Sequence, residues 1–162
     1  VLIITGPCAS GKTTIMQLVS ENLNFNVVSG DEIKDELFPE IDNIIDYPKQ
    51  LKIVKEEILS RAKILFEQEK NVVIDYVILG EDYIQKYKNL FKKNLIIKVL
   101  LPEKKININR DLNRECWTSG EECIDYLYKK FDGLRNYIGK CNYIDNSCES
   151  PEDTYERHFK NL

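Results

Sequence analysis

The sequence predicts an α/β domain in which a parallel β-sheet is covered by helices on both faces. Short apolar runs rich in β-branched residues alternate along the 162-residue chain with longer segments that have a helical apolar period. The apolar runs are continuous, which is typical of strands buried on both faces. The alternation of strands with helices indicates βαβ units, and the strands of such units are parallel.

Five segments are predicted to be strands. Residues 1–5 and 71–75 are short, continuous and rich in valine and isoleucine, which favours strands. Residues 25–28 and 95–101 have a similar composition, and residues 143–144 are a fifth candidate. We therefore expect a five-stranded sheet.

Two long helices are predicted from apolar side chains that recur at spacings of three and four. One covers residues 48–69 and begins at Pro48, and the other carries the same period from Ile124 to Ile138. Shorter helices are expected at residues 13–23, 32–37, 81–91, 103–114 and 151–160. Because no repeat or linker interrupts this pattern, a single domain over residues 1–162 is expected.

Composition and charge indicate an ordinary soluble globular protein. The 23 basic and 27 acidic side chains give a net charge of −4, which does not support broad nucleic-acid binding. The longest apolar stretch, residues 95–101, is far too short to span a membrane, and no signal peptide is recognised, so no membrane partner is expected. The five cysteines form no C-x-x-C pair, which favours a cytoplasmic location over a disulfide framework or a zinc site.

The most specific motif is the phosphate loop of residues 6–13, Gly-Pro-Cys-Ala-Ser-Gly-Lys-Thr. It fits G-x-x-x-x-G-K-[ST] at every fixed position, follows a predicted strand and opens a predicted helix. The glycines let successive N–H groups point at a phosphate, and the helix N-terminus adds partial positive charge. A plain glycine turn does not explain Lys12, so the motif predicts a site for a nucleoside triphosphate.

Residues of this loop are assigned to ATP and Mg²⁺. Lys12, also a candidate catalytic residue, is expected to reach the β- and γ-phosphates, and the Thr13 hydroxyl is expected to bind Mg²⁺. The predicted nucleotide-binding residues of the loop are Gly6, Ala9, Ser10, Gly11, Lys12, Thr13 and Thr14. The sequence lacks the N-K-x-D run with which a regulatory GTPase reads guanine. Among the classes of P-loop protein, a small phosphotransferase is therefore expected.

Four parts of the chain resemble the small P-loop kinases typified by chloramphenicol phosphotransferase, polynucleotide 5′-hydroxyl kinase and the zeta-toxin kinases. They are the phosphate loop, residues 29–34, residues 71–75, and residues 110–131 together with 143–152. The resemblance implies a three-layer P-loop NTPase fold with strand order 2-3-1-4-5 and an arginine-bearing lid at about residues 110–122. It also implies transfer of the ATP γ-phosphate to a hydroxyl, with the adenine edge met after the fifth strand.

Asp31 follows the second predicted strand, at the sheet edge where the phosphate loop is also expected. The resemblance implies that Asp31 is the base that takes the proton of the acceptor hydroxyl, a role that suits a carboxylate near the γ-phosphate. The alternative is that Ser29 and Glu32 form a capping box, in which Asp31 only favours the helix dipole. Lys34 is a candidate for binding an acceptor phosphate, and a solvated helix lysine is the other interpretation.

Asp75 ends an apolar strand as a Walker B aspartate does. Such a residue holds Mg²⁺, usually through water, across from the phosphate-loop threonine, here Thr13. The alternative is that Asp75 caps the turn that follows the strand.

Arg110 and Arg114 are four residues apart on a predicted helix, so their side chains share one face. Like charges at this spacing repel unless an anion lies between them, which predicts that the two guanidinium groups clamp the γ-phosphoryl group in catalysis. The alternative is a solvated face on which Asp111 and Glu115 neutralise the pair. The resemblance also places Arg110 against adenine, and Trp117 in the following loop is interpreted as a packed lid aromatic or a stacking platform.

Together these assignments predict a Mg-ATP-dependent kinase of a small hydroxyl-bearing molecule, whose acceptor site is lined by residues 39–69. A kinase of nucleotides or of polynucleotide 5′-hydroxyls is the first alternative, because its acceptor carries a phosphate for basic side chains to bind. A nucleotide-binding module without turnover is the second alternative. The sequence predicts neither the acceptor nor the oligomeric state.

Overall fold

A five-stranded parallel sheet forms the centre of the computed structural model, which describes residues 1–114 and 118–162. The strands are β1 (Leu2–Thr5), β2 (Asn26–Ser29), β3 (Val72–Asp75), β4 (Ile96–Leu100) and β5 (Tyr143–Ile144). Their order is β2-β3-β1-β4-β5, and each neighbouring pair is parallel. The predicted α/β class and the strand order implied by the resemblance are both confirmed.

Helices connect the strands at nearly all the predicted positions. They are α1 (Lys12–Leu23), α2 (Gly30–Leu37), α3 (Pro48–Glu67), α4 (Glu81–Phe91), α5 (Lys104–Leu112), α6 (Glu121–Gly133), α7 (Arg135–Ile138) and α8 (Pro151–His158). In the described ranges, none of these helices combines the length and the apolar character needed to cross a membrane.

The prediction of one continuous helix from Ile124 to Ile138 is wrong, because the helix is interrupted between α6 and α7. The Leu134 N–H donates to the Phe131 carbonyl at 3.1 Å, so the last turn of α6 tightens to an i→i−3 pattern after Gly133. Glycine also has a low helix propensity, which favours a break at this point. The apolar period nevertheless continues across the break, since Phe131, Leu134 and Ile138 are all buried.

Two apolar clusters cover the two faces of the sheet. Ile3 and Ile74 point to one face and pack in a cluster with side chains of α3, α4 and α6. Leu2, Ile4 and Val73 point to the other face and pack with α1 and α8. Alternate residues of each central strand are therefore buried on opposite sides, which is why these strands read as continuous apolar runs.

The register of the sheet collects the predicted functional residues at one edge. Asp75, the last residue of β3, lies opposite Ser29 of β2 and Ile4 of β1. The chain leaves β1 into the phosphate loop and leaves β2 into α2, which begins at Gly30. Because parallel strands end at a common edge, the phosphate loop, the start of α2 and the end of β3 are neighbours there.

Candidate active site

The phosphate loop is a strained turn between β1 and α1. Gly6 has φ 149°, and a Cβ atom built on it lies 2.3 Å from the Leu100 carbonyl oxygen, so a larger residue does not fit. Ala9 and Gly11 also have positive φ, 61° and 95°, which curls the loop before α1. Backbone turns of this type leave N–H groups pointing into a concavity that binds anions.

The first turn of α1 is open to an anion. Its N-cap is Gly11, no side chain caps the helix, and no acidic residue stands in its first turn. The first N–H groups of a helix have no partner within the helix, so they and the positive end of the helix dipole suit a phosphate. The Lys12 ammonium donates to the Pro7 carbonyl at 2.9 Å and therefore lies against the loop itself.

Thr13 and Asp75 meet across the sheet edge. The Thr13 hydroxyl donates to Oδ2 of Asp75 at 2.7 Å, and Asp75 is buried at the end of β3. A hydroxyl and a carboxylate oxygen are ligands that Mg²⁺ accepts, while phosphates and water complete its octahedron. The residues present therefore fit a magnesium ion bound beside the phosphate loop. The turn after β3 is held by Thr5, whose Oγ1 accepts from the Ile78 N–H at 2.9 Å.

Electrostatics link Asp75 to the other predicted site residues. Burial raises the pKa of the Asp75 carboxyl, while the positive charge of Lys12 and the hydrogen bond from Thr13 lower it. The negative charges of Asp31 and Glu32 raise the pKa of Asp75 further. The phosphate loop, the end of β3 and the first turn of α2 therefore share one electrostatic environment.

Asp75→Asn is expected to stabilise the metal-free protein at neutral pH. Because folding raises the pKa of this carboxyl, the folded protein is stabilised when the carboxyl is protonated. This stabilisation is fully present below the unfolded pKa of 3.8 and is lost as the pH rises through the folded pKa. At pH 8 in EDTA, we expect the Tm of the variant to exceed that of the wild type by about 2–4 °C, as for a change of about 1 kcal/mol in a domain of this size. Thermal melts at pH 8 and pH 4 test this, and a lower Tm for the variant at pH 8 would contradict it.

At the start of α2, the cap and the candidate base are different residues. The Ser29 hydroxyl accepts from the Glu32 N–H at 3.3 Å and caps the helix. Asp31, in the first turn, is exposed at the sheet edge. The Lys34 ammonium pairs with Asp35 at 2.8 Å, so the structure gives Lys34 a partner on its own helix.

Arg110 lies on α5 and reaches the segment that follows β5. Its Nη2 donates to the Asn146 carbonyl at 2.9 Å. This is the segment where the resemblance places the adenine edge. The structure therefore brings together two parts of the predicted adenine environment that are 36 residues apart in the chain.

Arg114 has a protein partner as well, and the interpretation of Asp111 as part of a solvated face is wrong. Arg114 Nη1 lies 3.5 Å from Oδ1 of Asp111, which is only 1% exposed. Oδ2 of Asp111 accepts from the N–H groups of Ser119 and Gly120 at 2.8 and 3.1 Å. The repulsion between the two arginines is therefore relieved within the protein and does not by itself require an anion.

Glu115 and Trp117 lie outside the described residues. The interpretation of Glu115 as a neutralising charge and of Trp117 as a lid aromatic therefore remains a prediction.

Two buried asparagines hold the phosphate loop from behind, a role that the sequence did not predict for Asn107 or for Asn146, which stands in the segment assigned to the adenine edge. Asn107 Nδ2 donates to the Cys8 carbonyl at 2.8 Å, and Asn146 Nδ2 donates to the Ser10 carbonyl at 3.1 Å. Both side chains are at most 5% exposed. The only signal in the sequence is that Asn107 stands three residues before Arg110, which puts both on one face of α5.

A sequence model of the AAA domain family matches residues 1–109. No curated protein matches the chain.

Several solved structures have a similar fold. A gluconokinase from Sinorhizobium meliloti 1021 has a TM-score of 0.64 and 16% identity over 96% of this chain and 87% of its own. A shikimate kinase from Bacteroides thetaiotaomicron has a TM-score of 0.69 and 14% identity over 96% and 92%. A shikimate kinase from Acinetobacter baumannii in complex with shikimate has a TM-score of 0.69 and 19% identity over 96% and 88%. The chain is thus similar in fold to small P-loop kinases.

Proposed function

The chain belongs to the AAA domain family, and we propose that it is a kinase that transfers the γ-phosphate of Mg-ATP to a hydroxyl group of a small molecule. The observation that carries the proposal is the Thr13–Asp75 hydrogen bond beside the phosphate loop. It joins the two side chains that would hold a magnesium ion to the loop that would hold the phosphates. The similar gluconokinase and shikimate kinases support a phosphotransferase.

The nucleotide would be bound by the phosphate loop and by Lys12. The loop N–H groups and the uncapped first turn of α1 would surround the phosphates, and the Lys12 ammonium would leave the Pro7 carbonyl for the β- and γ-phosphates. Thr13 and Asp75 would hold Mg²⁺, which neutralises charge on the transferred group. Arg110, which already contacts the segment after β5, would lie against adenine.

Asp31 would prepare the acceptor for attack. It stands in the first turn of α2, which follows Ser29, the residue paired with Asp75 in the sheet, and its charge raises the pKa of Asp75. A carboxylate in this position orients the hydroxyl and accepts its proton as the bond to phosphorus forms. Ser29 caps α2 through the Glu32 N–H, as the alternative interpretation expects, and this hydrogen bond does not involve the Asp31 carboxylate.

The lid segment would close over the transferred group. Asp111 ties the backbone at Ser119 and Gly120 to α5, and Arg114 contacts the same carboxylate. A movement of α5 would therefore carry the lid, Arg110 and Arg114 together. Closure would exclude water and limit wasteful hydrolysis of ATP.

A screen for acceptor-dependent ADP formation tests the proposal. The chain with Mg-ATP is offered sugars, hydroxy acids, nucleosides, and phenicol and aminoglycoside antibiotics, and phosphorylated products are identified by mass spectrometry. We expect at least one hydroxyl compound to raise ADP formation by a factor of about ten or more over the hydrolysis background. An unchanged rate with every acceptor would contradict the small-molecule proposal.

Short single strands, added to this panel, test the polynucleotide alternative. Short single strands bind a polynucleotide kinase through phosphate contacts, and such binding weakens steeply with salt. Tight and salt-sensitive strand binding, together with phosphorylation of the strand, would favour that alternative. The gluconokinase and shikimate kinases among the similar structures favour a small molecule instead.

A further inference from the structure

A cavity of about 180 Å³ lies between the N-terminal halves of α3 and α4. Its lining includes three lysines, Lys52, Lys55 and Lys86, with a single carboxylate, Glu56, and the ring of Tyr83. Positive charge therefore exceeds negative charge in this cavity, although the chain as a whole has a net charge of −4.

The cavity opens at the edge of the sheet that carries the candidate active site. Helix α3 ends at Glu67 and leads into the start of β3 at Val72, so its first turn lies at the opposite, carboxyl end of the strands. Helix α4 begins at Glu81, shortly after β3 ends at Asp75, so its first turn lies at the same end. The phosphate loop, Asp31 and Asp75 occupy this edge too.

Three buried tyrosines, Tyr76, Tyr83 and Tyr87, belong to one core cluster that touches both the cavity and the start of α2. Tyr76 packs so closely on Gly30 that a Cβ atom there would lie 2.1 Å from the Tyr76 ring, and burial, followed by the charge of Asp31, raises the pKa of the Tyr76 hydroxyl. The Tyr83 and Tyr87 hydroxyls are 3.2 Å apart, and their rings meet edge to face at 5.2 Å. The cluster therefore meets the cavity through Tyr83 and the backbone beside Asp31 through Tyr76.

The lysines of the cavity are poorly neutralised. Lys52 lies 3.9 Å from Glu56, and both side chains are more than half exposed, so this pair is weak. The Lys55 ammonium lies 5.2 Å from the centre of the Tyr83 ring. Burial lowers the pKa of Lys55, and in the described part of the chain no carboxylate offsets that effect. An anion in the cavity would supply the missing negative charge.

We propose that this cavity binds the anionic group of the phosphoryl acceptor, a carboxylate or a phosphate, so that the acceptor is an anionic hydroxyl compound. The proposal rests on the kinase function proposed above. The anion lies against Lys55 and Lys86, while the hydroxyl end of the same molecule reaches Asp31 at the same edge of the sheet. A lysine ammonium binds carboxylate and phosphate alike as a point charge, so the two groups must be distinguished by experiment.

Calorimetric titration of the protein saturated with Mg-ADP tests the proposal, because the phosphate loop is then occupied. The probes are glucose, gluconate and glucose 6-phosphate, which offer related carbon chains that are neutral, carboxylated or phosphorylated. We expect at least one of the two anions to bind more tightly than glucose. Lys55→Gln and Lys86→Gln are each expected to weaken its binding by about tenfold or more.

Lys63→Gln is the matched control, since Lys63 lies on the same helix α3 in an exposed pair with Glu67 at 3.6 Å. It is expected to bind the anion as the wild type does. Equal anion binding by Lys55→Gln, Lys86→Gln and Lys63→Gln would overturn the proposal, as would wild-type protein that binds neither anion better than glucose. Failure of the kinase function itself would be seen separately, as the absence of acceptor-dependent ADP formation in a chain that still binds the anion.

Discussion

Lys12→Met is expected to lower the kcat for ADP formation by about a hundred- to a thousand-fold, the usual cost of removing one fixed donor to the charge that develops in a transition state. The Lys12 ammonium lies against the phosphate loop, 2.9 Å from the Pro7 carbonyl, and methionine keeps the length of the side chain while removing its charge. The rate is measured by coupling ADP formation to a spectroscopic assay with the best acceptor of the screen.

Lys63→Met is the control for this change, because it removes the same charge from an exposed position on α3. Its kcat is expected to equal that of the wild type. Circular dichroism of both variants checks that they are folded. Full activity of folded Lys12→Met would contradict the proposed role of the phosphate loop in catalysis.

Asp31→Asn is expected to lower kcat by about a hundred- to ten-thousand-fold, the range that general base catalysis supplies. The affinity for Mg-ATP is expected to stay within about twofold of the wild type, because the lost interaction is made with the acceptor in the transition state. Asparagine keeps the size of the side chain but does not accept the proton, and the Ser29 cap of α2 is left in place. Steady-state kinetics and a nucleotide titration measure the two effects.

Asp35→Asn is the matched control, since it makes the same change one turn later at a side chain that is 71% exposed. A small effect of Asp35→Asn beside a large effect of Asp31→Asn would assign the loss to position 31 and not to the charge of α2. If Asp31→Asn left ATP consumption untouched, the candidate base would be wrong, and a nucleotide-binding module without turnover would be favoured.

The architecture could be predicted because it follows from local pattern. Strands β1 and β3 are buried on both faces, which favours apolar residues at every position except the last, where Thr5 and Asp75 meet the site. The strand order came from the resemblance, since spacing alone does not say which strands are neighbours. The break between α6 and α7 escaped prediction because Leu134 keeps the apolar period while its N–H changes to the Phe131 carbonyl.

The phosphate loop was predictable and its supports were not. The motif needs eight consecutive residues, whereas the bonds from Asn107 to Cys8 and from Asn146 to Ser10 join positions 99 and 136 residues apart. Their existence depends on how α5 and the segment after β5 pack against the loop. Helical spacing puts Asn107 on the face of Arg110, and Asn146 follows β5, but neither position specifies a contact with the phosphate loop.

The environment of the charged residues at the start of the lid could not be predicted from the sequence either. Helical spacing places Arg110, Asp111 and Arg114 within one turn but does not give the depth at which each is buried. In the structure, Asp111 is 1% exposed and binds the backbone of Ser119 and Gly120. Because the backbone N–H groups bind this carboxylate, Asp111 does not need water as a partner and is buried.

The central claim is that residues 6–13 bind the phosphates of Mg-ATP, and calorimetric titration of the wild-type protein with Mg-ATP tests it most directly. We predict a saturable heat that corresponds to one nucleotide per chain and that is lost in folded Lys12→Met. No heat at saturating Mg-ATP, or the same binding curve for both proteins, would contradict the account.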